Sequence, residues 1–130
     1  MSKVLVIDDE ALLRSSLAAY LEDDGYQVLT SANAESALSK ITHYLPDVVV
    51  VDLRLEGANG EEFIKAASKL LPNTRYLIHT GSKDYRLSPE LRALGIKDSQ
   101  ILYKPVGDLY YLSSLIESLL PNRAQTPTQV

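Results

Sequence analysis

The chain alternates short, uniformly apolar runs with longer segments whose apolar residues recur every three or four positions. The short runs have strand length, and residues 48–51 are four consecutive valines without polar alternation. Such a run is typical of a strand buried on both faces, as in the centre of a parallel sheet. The longer segments have the spacing of amphipathic helices. Strands are predicted at 4–7, 27–31, 48–51, 75–79 and 101–103, each followed by a helix.

Capping residues and stop signals frame the predicted helices. Asn33, Asn59 and Asp108 stand at positions that need an N-cap, and Ser88 precedes a first-turn proline. Glycines end the first and fourth helices, and prolines follow the other three. Together these signals predict helices over about 11–22, 34–45, 60–71, 89–94 and 109–120.

Five strand–helix units in succession predict an α/β fold with a doubly wound parallel sheet. Helices are expected on both faces of the five-stranded sheet, joined by right-handed crossovers. In such sheets ligands bind beyond the carboxyl ends of the strands. The residues that follow each strand are therefore the first candidates for a functional site.

Composition narrows the function classes. The chain has 130 residues, a net charge of −4 and no cysteine, which fits one domain and excludes disulfide, zinc–thiolate and cysteine-nucleophile chemistry. A weakly acidic chain has no general electrostatic attraction to nucleic acid or anionic lipid. No apolar run approaches the roughly 20 residues of a membrane span, and the first residues lack a signal-peptide core. We therefore expect a cytoplasmic protein without direct nucleic-acid or membrane partners.

Candidate functional residues follow four of the five predicted strands. They are Asp8, Asp9 and Glu10 after the first strand, Asp52 after the third, Thr80 and Gly81 after the fourth, and Lys104 and Pro105 after the fifth. Clustered carboxylates repel one another in a partly dry crevice, so positive charge must offset them. Lys104 supplies one charge, and oxygen ligands favour a hard cation such as Mg²⁺, Ca²⁺ or Mn²⁺. The combination suits phosphoryl chemistry.

Four motifs in this order resemble the receiver domain of two-component response regulators. They are Val-Ile-Asp-Asp-Glu at 6–10, Val-Val-Asp-Leu-Arg-Leu at 50–55, His-Thr-Gly at 79–81 and Leu-Tyr-Lys-Pro-Val at 102–106. The resemblance covers residues 3 to about 120. It implies a flavodoxin-like sheet of strand order 2-1-3-4-5, with a receiver domain over 1–121 and a polar tail or linker over 122–130.

The resemblance implies that Asp52 accepts a phosphoryl group from a histidine kinase or phosphotransfer protein in a Mg²⁺-dependent reaction. Asp9, Asp52 and the backbone carbonyl of Arg54 would bind the metal directly, and Asp8 would hold it through water. The result would be a phosphorylation-dependent signalling switch rather than a turnover enzyme, acting on a downstream effector.

The remaining implied roles concern the phosphoryl oxygens. Lys104 would pair with the Asp52 carboxylate or the phosphoryl group, and the Thr80 hydroxyl would move to that group once it is present. The backbone N–H groups of Arg54 and Gly81 would hold other oxygens. The Lys104–Pro105 peptide bond is expected to be cis.

Three departures from the family pattern stand out. Glu56 lies four residues after Asp52, where receivers usually have proline, and about two extra residues lie between Gly95 and Lys104. Ile101 occupies the position of the usual switch aromatic, three residues before the lysine. Tyr103 shares the strand face of Ile101, and we hypothesise that it takes over part of the switch role.

Tyrosines are concentrated where the family has its output surface. Helix 4, strand 5 and helix 5 would form this face, with Leu115 and Leu120 widening its apolar surface. A partner or a second copy of the chain is expected to bind there, since tyrosine is enriched in interfaces. The candidate output residues are Thr80, Ile101, Tyr103, Tyr85, Tyr110 and Tyr111.

Competing interpretations remain. A Mg²⁺-dependent phosphatase or phosphotransferase would also use an aspartate nucleophile, but Arg54 stands two residues after Asp52, where such an enzyme needs a second carboxylate. A phosphorylation-independent binding module is a further alternative. Nucleotide or flavin binding is disfavoured because the turn after strand 1 is acidic rather than glycine-rich. His79 is expected to be structural and His43 exposed, so neither is a candidate ligand.

Overall fold

The computed structural model describes residues 2–55, 59–105 and 107–120. In these residues five strands form one parallel sheet of order β2-β1-β3-β4-β5, which confirms the predicted fold. The strands are β1 (Lys3–Ile7), β2 (Gln27–Ser31), β3 (Val48–Asp52), β4 (Arg75–Thr80) and β5 (Ile101–Tyr103). The helices are α1 (Ala11–Asp23), α2 (Ala34–Tyr44), α3 (Gly60–Leu70), α4 (Pro89–Ala93) and α5 (Leu109–Leu119).

The predicted capping residues define the helix boundaries. At four of the five described α-helices the N-cap side chain accepts a hydrogen bond from a backbone N–H two or three residues later; these N-caps are Asn33, Asn59, Ser88 and Asp108. Gly25 and Gly95 adopt φ values of 100° and 93°, the left-handed conformation expected after a helix. In the described residues no helix is long and apolar enough to cross a membrane. The cytoplasmic location therefore stays a prediction.

Alternating strand residues build one apolar core on each face of the sheet. The first core lies against α2, α3 and α4, and the second lies against α1 and α5. All five residues of β3 are buried, as its run of valines predicts for a central strand. Leu115 and Leu120 are partly buried against the second core and only partly exposed, so they do not lie outside the core-facing side of α5 as predicted. The hydrophobic residues of α5 cover more of the sheet than a single stripe.

The long loop before β5 contains a 3-10 turn, Asp98–Gln100, that the sequence pattern does not indicate. β5 pairs with β4 only at 78–80, which leaves the Tyr76 carbonyl without a strand partner on that side. The Gln100 side-chain amide donates to this carbonyl at 2.8 Å and its oxygen accepts from the Lys97 N–H at 2.9 Å. Gln100 therefore replaces a missing backbone bond at the sheet edge.

Gly60 is required by a close approach of backbone segments. A Cβ added there would lie 2.6 Å from the Asp52 carbonyl oxygen and 2.9 Å from the Leu53 Cα. We expect Gly60→Ala to lower the free energy of unfolding by about 2 kcal/mol, since overpacking displaces the backbone after Asp52. Urea unfolding measures this, with Gly107→Ala as the control because nothing lies within 4 Å of its Cβ position. Equal stabilities of the two variants would contradict the expectation.

Candidate functional site

Four strand ends bring the predicted site residues together at one edge of the sheet. Asp8 directly follows β1, Asp52 and Thr80 are the last residues of β3 and β4, and Lys104 directly follows β5. The strands predicted from the sequence end one residue before Asp52 and Thr80, but the sheet extends through both. The convergence follows from parallel pairing, because neighbouring strands end on the same side.

The Lys104 ammonium is the centre of this cluster. Its Nζ lies 3.0 Å from Asp52 Oδ2 and 3.2 Å from Asp8 Oδ2, and it also contacts Glu10 Oε1 at 3.3 Å. The side chain of Lys104 is 16% exposed, whereas those of Asp8 and Asp52 are only 2% and 6% exposed. Charges this far from water need partners, and these three groups provide them for one another.

Opposing effects set the protonation of Asp52 and Lys104. Burial raises the pKa of the Asp52 carboxyl, although the Arg54 N–H and the Lys104 ammonium lower it. The Arg54 N–H donates to Asp52 Oδ1 at 3.1 Å. Burial lowers the pKa of Lys104, but its bonds to Asp52 and Asp8 together raise it above the ordinary value. The 3.0 Å contact suits a carboxylate paired with an ammonium, and loss of either partner would leave a buried charge unpaired.

Three carboxylates could hold a cation at this edge. One oxygen from each of Asp8, Asp9 and Asp52 lies within 4.8 Å of the others. Asp9 is exposed and, within the described parts of the chain, has no ion-pair partner. The cluster thus has more negative charge than Lys104 neutralises. The atoms that it offers to a metal are all carboxylate oxygens. This donor set fits a hard divalent cation such as Mg²⁺.

Thr80 is buried beside the cluster. Its Oγ1 accepts a hydrogen bond from the Ser82 N–H at 3.0 Å, and its carbonyl accepts from the Lys104 N–H at 2.7 Å. The described contacts do not join the Thr80 hydroxyl to Asp52. Gly81 follows at the surface. The Lys104–Pro105 bond is cis, as the resemblance implies.

The sequence profile described as the response regulator receiver domain matches residues 4–115. The chain belongs to this family. Receiver domains are generally signalling switches rather than turnover enzymes. The family accounts for the arrangement described above, because the matched range contains all four strand ends and their site residues.

Individual relatives resemble this receiver over different lengths. It is 29% identical over 128 residues to the uncharacterized transcriptional regulatory protein YesN of Bacillus subtilis (strain 168), covering 96% of this chain and 34% of that protein. It is 31% identical over 93 residues to sporulation initiation phosphotransferase F of the same strain, covering 72% and 75%. The chain thus spans about a third of the length of YesN.

A solved receiver structure carries the same fold. Response regulator protein TrrA of Thermotoga maritima, in complex with Mg²⁺–BeF, matches with a TM-score of 0.79 and 27% identity. The match covers 92% of this chain and all of that one. Since both the profile and the fold agree, the receiver assignment does not depend on any single motif.

Two contacts of this receiver's site are not indicated by the sequence motifs. Glu10 appears there only as one of the acidic residues after β1, yet it reaches Lys104. The motifs do not include Arg14, although its Nη1 donates to the Asp8 carbonyl at 2.7 Å. The available signal is helical spacing, because Arg14 lies in the first turns of α1, four residues after Glu10. Glu10 thus contacts the lysine directly, whereas Arg14 binds the backbone of the turn after β1.

The candidate switch residues of this receiver differ in burial. Ile101 is 8% exposed in the first core, whereas Tyr103 is 39% exposed. The Tyr103 hydroxyl donates to the Tyr85 carbonyl at 3.5 Å, and the Tyr85 hydroxyl donates to Glu61 Oε2 at 2.5 Å. This chain of contacts joins β5 to the loop before α4 and to the first turn of α3. Glu56 lies outside the described residues.

The other two candidate tyrosines and the two histidines differ in exposure. Tyr110 and Tyr111 are exposed on the first turn of α5. His43 is exposed, and His79 is 2% exposed. Burial, with Lys104 adding to it, lowers the pKa of His79 to about 4 against the opposing effects of Asp8 and Glu10. His79 is therefore neutral at pH 7, which agrees with a structural role.

Proposed function

We propose that this receiver is a phosphorylation-dependent switch in which Asp52 accepts a phosphoryl group from a histidine kinase or phosphotransfer protein. The observation that carries the proposal is the Lys104 ammonium, held 3.0 Å from Asp52 and 3.2 Å from Asp8. Its relative, sporulation initiation phosphotransferase F, supports group-transfer chemistry by its name.

The proposed step transfers a phosphoryl group between two nucleophiles. A new bond forms between an Asp52 oxygen and phosphorus while the phosphorus–nitrogen bond to the donor histidine breaks, and its electron pair stays on the imidazole. Lys104 binds the developing negative charge. The Arg54 N–H, now 3.1 Å from Asp52 Oδ1, and the Gly81 N–H would hold the other phosphoryl oxygens.

Mg²⁺ is the proposed cofactor. The carboxylates of Asp9 and Asp52 and the backbone carbonyl of Arg54 would hold it directly, with Asp8 acting through water. When bound, a divalent cation neutralises charge on the transferring phosphoryl oxygens. The proposal is supported by the three carboxylate oxygens within 4.8 Å of one another and by the Mg²⁺–BeF complex of TrrA.

The phosphorylated state would be reported through Thr80. Its hydroxyl would leave the Ser82 N–H and bind the phosphoryl group, which shifts the balance between two conformations. The proposed output face comprises α4, β5 and α5, where a downstream effector or a second copy would bind. Its candidate contacts are Tyr85, Tyr103, Tyr110 and Tyr111, of which the last three are exposed.

The proposed receiver domain spans 1–121, and the polar tail or linker spans 122–130. This division is supported by the family match over 4–115 and by α5, which ends at Leu119. The chain spans 34% of YesN, so the proposed function concerns the receiver domain alone.

Intact mass after incubation with acetyl phosphate and Mg²⁺ tests the proposed function. We expect one added phosphoryl group in the wild type, none in Asp52→Asn, and none when EDTA removes the metal. Asp23→Asn makes the same chemical change at an exposed position of α1 and should be phosphorylated normally. A second incubation with phosphorylated histidine kinases tests whether the protein accepts a phosphoryl group only from a protein donor. If no donor adds mass, the phosphorylation-independent binding module becomes the better interpretation.

A further inference from the structure

We infer that the Glu10 carboxylate is a placeholder: it pairs with the Lys104 ammonium in the resting protein and must leave before a phosphoryl oxygen can bind there. The inference rests on the proposed function. An ammonium group has three N–H donors and no more. Three carboxylates, those of Asp8, Glu10 and Asp52, already lie within 3.3 Å of Lys104 Nζ. No donor remains for an incoming phosphoryl group.

Glu10 is the partner that can be exchanged. Its contact with Nζ is the longest of the three at 3.3 Å, and its side chain is 65% exposed. Asp8 and Asp52 are almost fully buried, so losing the ammonium would leave their charges without compensation. A released Glu10 carboxylate only returns to water, where its charge is well solvated. Exposed ion pairs of this kind contribute little and exchange readily.

Glu10 can be replaced without removing a structural contact of α1. It is the N-cap residue of that helix, yet its side chain makes no capping hydrogen bond. Its backbone carbonyl accepts from the Arg14 N–H, and substitution leaves this bond in place. Glu10 is thus separable from the fold, and it acts on the reaction through Lys104 as a positioning residue.

The contact makes a directional prediction for phosphorylation by acetyl phosphate. In that step an Asp52 oxygen bonds to phosphorus, the bond from phosphorus to the acetyl oxygen breaks, and acetate leaves with the electron pair. A Glu10 carboxylate that competes for Lys104 slows this step. Removing the competition should raise the second-order rate constant about twofold to fivefold, the range of an exposed ion pair.

Glu10→Asp separates competition from simple charge repulsion. Aspartate keeps the negative charge but is one methylene shorter, and at an N-cap position its carboxylate prefers the backbone N–H groups of the helix. Phosphorylation rates of the wild type, Glu10→Asp and Glu10→Ala are compared by intact mass at saturating Mg²⁺. Glu22→Asp and Glu22→Ala make the same changes near the other end of α1. Binding of beryllofluoride with Mg²⁺, followed by NMR, gives a second readout without turnover.

We expect both Glu10 variants to react faster and to bind beryllofluoride more tightly by a similar factor, with the Glu22 variants unchanged. If Glu10→Asp behaves as the wild type while Glu10→Ala is faster, the effect is electrostatic repulsion and the placeholder is overturned. Unchanged rates in both Glu10 variants overturn it as well. A wild-type protein that accepts no phosphoryl group and binds no beryllofluoride instead overturns the proposed function on which the inference rests.

Discussion

Lys104→Met is expected to lower the free energy of unfolding by about 3 kcal/mol at pH 7. The substitution keeps the volume of the side chain but leaves two carboxylates, on Asp8 and Asp52, buried without the ammonium that contacts both. Breaking a buried ion pair on one side costs several kcal/mol, because the remaining charge is neither solvated nor paired. Here the cost applies to two carboxylates at once.

The stability lost in Lys104→Met should depend on pH, and the direction follows from the pKa of the Asp52 carboxyl. Burial already raises the pKa of this carboxyl, and loss of Lys104 removes a group that lowers it. The folded variant then binds a proton more readily than the unfolded chain, so its stability falls as pH rises above the ordinary carboxyl range. As the pH falls, protonation of the Asp52 carboxyl in the folded variant removes part of the cost of burying its charge. The deficit is therefore smaller at pH 5.

Urea unfolding at pH 5 and pH 7.5 measures this difference. Lys83→Met removes the same charge from an exposed loop position and should change stability by less than about 0.5 kcal/mol. Adding Asp52→Asn to Lys104→Met should recover part of the loss, because it neutralises one of the two stranded carboxylates. A deficit that is equal at both pH values, or absent, would show that the ammonium does not carry the charge balance of the site.

The sheet and the core of the site are predictable because both follow from the chain's periodicity. Asp8, Asp52 and Lys104 each adjoin or end a strand, and parallel pairing brings strand ends together whatever the detail of the loops. The N-caps are equally local, since Asn59 needs only the N–H of Glu62 three residues later. These features depend on short spacings that the sequence displays directly.

The contacts that the sequence does not predict depend on long side chains and on loop geometry. Glu10 and Lys104 are 94 residues apart, and their contact needs particular rotamers of two flexible side chains. The Tyr85–Glu61 bond joins a loop to the start of α3, and no periodicity relates the two. Gln100 compensates for a short edge strand, which becomes visible only once the pairing of β5 is known. Such contacts follow from tertiary packing rather than from local pattern.

His79 is expected to make folding stability fall by about 3 kcal/mol between pH 6.5 and pH 4. Its pKa is lowered from 6.5 to about 4, mainly by burial and further by the positive charge of Lys104. Each pKa unit corresponds to about 1.4 kcal/mol, which sets the size of the effect. Between the two pKa values the unfolded chain binds a proton that the folded protein rejects. The contribution is therefore complete above pH 6.5 and is lost as the pH falls through this window.

The surroundings of His79 support the size of this effect. Its side chain is 2% exposed and lines a groove of about 470 Å³ with the apolar side chains of Leu13, Leu17 and Leu109. The buried Nε2 atom has no hydrogen-bond partner among the described residues. A charged imidazole there would be poorly solvated and would face the Lys104 ammonium, with Asp8 and Glu10 opposing only in part.

Comparison of the wild type with His79→Asn isolates this contribution, because asparagine is polar but does not titrate. As the pH falls from 7 to 4, the wild type should lose about 3 kcal/mol of unfolding free energy relative to His79→Asn. Any pH-independent effect of the substitution does not change this difference. His43→Asn serves as the control, since His43 is exposed. The raised pKa of Asp52 acts in the opposite direction in both proteins and cancels in the difference. Parallel pH profiles for the wild type and His79→Asn would mean that His79 gains its proton as easily in the folded protein as in the unfolded chain.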